Sequence, residues 1–76
     1  MHFSFRLGAR RALDFADFFD ANHAQLATEK RLQAELFGQC HMHATAENWK
    51  ALADSLVALA EIEDRFRENL LKIQAR

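Results

Sequence analysis

Two long runs of this chain contain nothing that breaks a helix. Pro is absent and the glycines stand at positions 8 and 38, so residues 9–37 and about 46–73 are each free to continue as a single helix. Fourteen Ala and ten Leu against one Val and two Ile point the same way. Ala and Leu lose little on entering a helix, whereas strands draw on β-branched residues. The expectation is an all-α fold, and an all-β fold is excluded. At 76 residues there is room for one small helical domain over 1–76.

Local signals set the expected boundaries. Gly38 suits the left-handed position that closes a helix, which makes 38–44 a loop. Thr45 is a good N-cap, and Glu47 places negative charge at the positive end of the second helix dipole. The first helix has a weak middle, since Asp20, Asn22 and His23 are poor helix formers; the expectation is one helix over 9–37, continuous or kinked there, with a break near 20–23 as the alternative. Ahead of it, Phe3, Phe5 and Leu7 alternate with His2, Ser4 and Arg6, the period of a half-buried extended arm over 1–7.

The second helix carries a heptad pattern: Trp49, Leu52, Leu56, Leu59, Glu63, Phe66, Leu70 and Ile73 step by three and four. Two helices of similar length joined by a short loop predict an antiparallel hairpin. In the first helix Ala12, Leu13, Phe15, Ala16, Phe18 and Phe19 spread over roughly 220° of the circumference, more than one neighbour covers. The missing cover is expected from a second copy, in a dimeric four-helix bundle, or from another helical protein. Leu52, Leu56, Leu59, Phe66 and Leu70 are the candidate core. Glu63, the charged member of the seam, is the candidate specificity residue, with His23 as a possible partner.

A turn near position 41 would set Asp14 and Asp17 beside Arg65 and Arg67. It would also gather Arg6, Arg10, Arg11, Lys72 and Arg76 at one pole, with Cys40, His41 and His43 at the other. A net charge of -1 with 28% charged residues excludes a disordered polyelectrolyte and a wholesale electrostatic nucleic-acid binder. Cys40, His41 and His43 lack a fourth ligand at a useful spacing, so no metal is expected. Ser4, Ser55 and Cys40 lack the partners of a catalytic nucleophile, and two isolated glycines make no phosphate-cradling loop. Neither a cofactor nor enzymatic activity is expected. Cys40 is a lone cysteine, no stretch has the make-up of a signal peptide or the apolar length of a membrane span, and the expected location is the cytoplasm.

An apolar excess without catalytic groups predicts a protein–protein interaction module: a small adaptor, chaperone-like or regulatory factor. Phe3, Phe5, Phe15, Phe18, Phe19 and Trp49 are its candidate contact residues. The alternative is a dimeric DNA-binding regulator using Arg6, Arg10 and Arg11 to contact phosphates. The arm, with His2, Ser4 and Arg6 on its polar side, followed by two helices, resembles the outline of ribbon-helix-helix repressors, over Phe3 to Leu7. That resemblance implies paired arms in the major groove. In length and hairpin outline the chain is also similar to the small helical co-chaperones of type III secretion needle subunits.

Overall fold

The computed structural model describes residues 4–19 and 21–74. The fold is all-α, with no strand among the described residues: α1 spans Phe5–Phe18, a short 3₁₀ turn Ala21–His23, α2 Ala24–Thr45 and α3 Trp49–Gln74. α2 is the middle helix, with α1 packed on it and α3 packed on it. Both neighbours run antiparallel to α2. Gly8 lies against the Phe37 ring and Phe19 against His23 on one side, while Gln33 reaches Glu63 and Glu29 reaches Asn69 on the other. The molecule is elongated, 45 × 23 × 20 Å.

Three helices therefore replace the expected hairpin of two. The expected single helix over 9–37 breaks after Phe18, at the weak middle. Phe19 is extended (φ -91°, ψ 131°) and its N–H donates to the Ala16 carbonyl at 3.1 Å. Asp, Asn and His side chains compete with the backbone for hydrogen bonds, and the break lets α1 fold back to bury Ala12 and Ala16 against α2.

Helix starts earlier than expected at the N-terminus. Ser4 is the N-cap, its Oγ accepting from the Leu7 N–H at 3.2 Å. Phe5, Arg6 and Leu7 are helical, so the extended arm does not form over them. Met1 to Phe3 lie outside the described residues.

The expected loop at 38–44 is also helical. Gly38 sits inside α2, which runs on to bury Cys40 completely. Burial of Cys40 offsets the roughly 1 kcal/mol that Gly costs a helix interior. The left-handed residue is Glu47 instead (φ 57°), with the Glu47 N–H on the Ala44 carbonyl and the Asn48 N–H on the His43 carbonyl. These two bonds make a Schellman closure. Asn48, not Thr45, caps α3, its Oδ1 accepting from the Ala51 N–H at 3.2 Å.

The heptad of α3 is real but turned by one position. Its covered residues are Leu52, Ser55, Leu59, Ile62, Phe66 and Asn69. Leu52, Leu59 and Phe66 are shared with the expected seam, whereas Trp49, Leu56, Glu63, Leu70 and Ile73 flank it and stay open. Two three-and-four patterns overlap along α3, and the less apolar one, with Ser55 and Asn69, faces α2.

Candidate interaction surface between α1 and α3

Because both outer helices lie on α2, a groove is left between them. On this side of the molecule one hollow is lined by Gly8, Arg11, Ala12 and Phe15 of α1 and by Lys30, Gln33 and Phe37 of α2. Nearer the α1 C-terminus a second hollow is lined by Phe18, Phe19 and His23 and by Leu70 and Ile73 of α3. α1 meets α3 through rings: Phe15 and Phe19 stack on each other and both present an edge contact to Phe66, at 5.7 and 5.8 Å between centroids.

Lys30 sits beneath that aromatic cluster. Its Nζ lies 4.2 Å from the Phe66 centroid and 4.9 Å from that of Phe15. It donates to Gln33 Oε1 at 2.9 Å and stands 3.7 Å from Glu63 Oε2, which accepts from Gln33 Nε2 at 2.7 Å. A buried ammonium is tolerable only with such partners, since ring faces and a carboxylate replace the water it gives up. The adjacent Glu29 is buried with Oε2 accepting from Asn69 Nδ2 at 2.9 Å and Oε1 without a hydrogen-bond partner.

The partner of Glu63 is thus Lys30 with Gln33, not His23, and Glu63 is half-exposed rather than central. The expected pairing of Asp14 and Asp17 with Arg65 and Arg67 does not form: Asp14 pairs with Arg10 at 3.5 Å, and Arg67 bonds Asp64. A turn at 46–48 instead of 41 shifts every facing pair, and α1 occupies a place that a continuous helix would not. The same shift dissolves the basic pole, because Arg6, Arg10 and Arg11 start α1 at the level of Phe37 while Lys72 stands beside Asn22 and His23 at the far end. Arg76 and Phe3 lie outside the described residues.

Of the other candidate contact residues, Phe15, Phe18 and Phe19 come together, and Phe18 is 81% exposed. Trp49 is exposed at the opposite end of α3, and Phe5 is partly covered. Cys40, His41 and His43 lie on the last turns of α2 rather than in a loop. Burial pushes the Cys40 thiol above its ordinary pKa by disfavouring the thiolate. Among the described residues no three His, Cys, Asp or Glu side chains are grouped to hold a metal ion. Among the described residues no helix is long and apolar enough to cross a membrane.

Lys30, Gln33 and Glu29 are absent from the sequence-based site. The signal was there in the spacing Leu26, Glu29, Gln33, Leu36, Cys40, a three-and-four repeat, next to a second one at Ala27, Lys30, Ala34, Phe37. Charged members hid both.

Residues 1–71 match the family described as YobF C-terminal domain. The chain belongs to that family. Among its relatives, a protein of Bacillus subtilis (strain 168) that carries the name "Uncharacterized protein YobF" is 44% identical over 71 residues. The match covers 93% of this chain and 23% of that relative, so the chain spans less than a quarter of the relative's length. No solved structure matches the chain.

Proposed function

We propose that this domain is a non-enzymatic helical docking module, an adaptor-like or regulatory element whose working face is the side where α1 and α3 lie next to each other. The observation that supports the reading is the placement of Phe15, Phe18, Leu70 and Ile73, large exposed apolar side chains of two helices lining two hollows that share Phe18. Scattered exposed apolar residues are ordinary, but a contiguous strip spanning two helices is characteristic of surfaces that another chain covers. The occupant that fits is a helix, because a slot between two parallel helices over a third takes a fourth in the packing of a helical bundle.

Phe18→Ser tests the reading. Its ring is largely in water, so circular dichroism and melting temperature should barely change. Association of the domain, with itself or with a helical partner recovered from its host, should fall sharply. Undiminished association by sedimentation velocity and co-purification would exclude this face as the docking site.

A further inference from the structure

We infer that the occupant of the groove is a second copy of this chain, seated about a two-fold axis parallel to the helices so that α1 of each protomer lies over α3 of the other. The inference rests on the docking reading above and names its partner.

Register is the first argument. α1 and α3 run in the same direction, and the contacts of Phe15 with Phe66 set them level. At about 1.5 Å of rise per residue, Leu7 and Arg11 lie about 12 and 6 Å before Phe15, and Phe18 about 4.5 Å after it. On α3, Leu56 and Glu63 lie about 15 and 4.5 Å before Phe66, and Leu70 about 6 Å after it. The exposed row of one helix thus reads apolar, cationic, anionic, apolar at the heights where the other reads apolar, anionic, cationic, apolar. The chosen axis brings Leu7 to Leu56, Arg11 to Glu63 and Phe18 to Leu70 of the second copy, and does so twice. Asp14, the other charge on the α1 row, comes level with Arg67.

Charge then selects this axis over the other two-fold that would stack the grooves. An axis across the helices pairs α1 with α1 and α3 with α3: centred on the α1 row it joins Arg11 to Asp14, but it sets Glu63 against Glu63 and leaves Arg67 without an opposite charge, whereas the chosen axis joins unlike charges at all four. Like charges so placed oppose association.

The test mixes two opposite charge reversals. Arg11→Glu and Glu63→Arg should each weaken self-association on the order of tenfold or more. Mixed in equal amounts they should recover it as a one-to-one heterodimer, since both cross-pairs then join unlike charges. Native mass spectrometry distinguishes the species, and circular dichroism reports whether each variant stays helical. A mixture no tighter than either variant alone overturns the arrangement. Because Glu63 also contacts Lys30 and Gln33, a second probe leaves those groups intact: Leu7→Cys mixed with Leu56→Cys should give the mixed disulfide on mild oxidation, with Cys40 shielded by burial. Like-with-like disulfides only would overturn it. A wild-type chain that stays monomeric at high micromolar concentration overturns the second copy as occupant, and in that case loss of a different helical partner in Phe18→Ser still upholds the docking module.

Discussion

The contact between α1 and α2 is made of small side chains, whereas the one between α2 and α3 is a heptad with polar members. Gly8, Ala12 and Ala16 recur every four residues on α1, and Ala27 and Ala34 are the buried alanines of α2. Small residues let two helices approach closely but remove little apolar area from water, so this contact depends on Phe15 and Phe19 resting on Phe66. The α2–α3 contact buries Leu26, Cys40, Leu59, Ile62 and Phe66, with Glu29–Asn69 and Gln33–Glu63 bonds tying the register. A helix with a different neighbour on each side must be apolar on two faces. The outer helices need only one, and they keep a free face for something else.

The largest test of that contrast lies on α3. Ile62→Ala removes a buried side chain and should cost about 2–5 kcal/mol in chemical denaturation, whereas Leu56→Ala, on the open row, should cost the monomer less than about 1 kcal/mol. Equal losses would mean that the covered face of α3 is not the one described. Next comes the buried polar pair: Asn69→Leu strips Glu29 of its donor and should cost about 1–3 kcal/mol, while adding Glu29→Leu should return that loss or more. If the single substitution is silent, the pair does not tie α2 to α3. A smaller difference separates the two contacts in the native state. α1 amides should exchange with deuterium at least about tenfold faster than those of central α2 and α3, corresponding to about 1.4 kcal/mol less protection. Uniform protection would show that the small-residue contact is as secure as the heptad.

The helical class, the weak point near residues 20–23 and three of the α3 core positions were legible because they depend on local propensity and periodicity. Two features were not. The register of α3 was ambiguous because Leu56 and Leu70 make a better apolar row than Ser55 and Asn69, and only the neighbour's identity decides which row is covered. Lys30, in the run Thr-Glu-Lys-Arg, drew no reading from the sequence, since a three-and-four spacing does not tell what covers a charge: Phe15 and Phe66 are brought to it by two different helices. Glycine misled for the opposite reason. Gly38 was read as a helix end from its local freedom, yet tertiary burial of Cys40 carried the helix through it.

That misreading yields the smallest predicted effects, which depend on where a Cβ belongs. Gly38 is inside α2 with open space where a Cβ would stand, so Gly38→Ala should stabilise by about 0.5–1 kcal/mol through reduced freedom of the unfolded chain and better helix propensity. Glu47 holds the left-handed angle that L side chains adopt at a cost, so Glu47→Gly should also stabilise, by at most about 1 kcal/mol. Gly8→Ala gains the same propensity but puts its Cβ 2.9 Å from the Phe37 ring, which must then swing away from the α1–α2 contact. Its net change should therefore fall below that of Gly38→Ala. Melting curves of the three variants measured together decide the point: equal gains at positions 8 and 38 would mean that α1 approaches α2 less closely than its glycine and alanines allow.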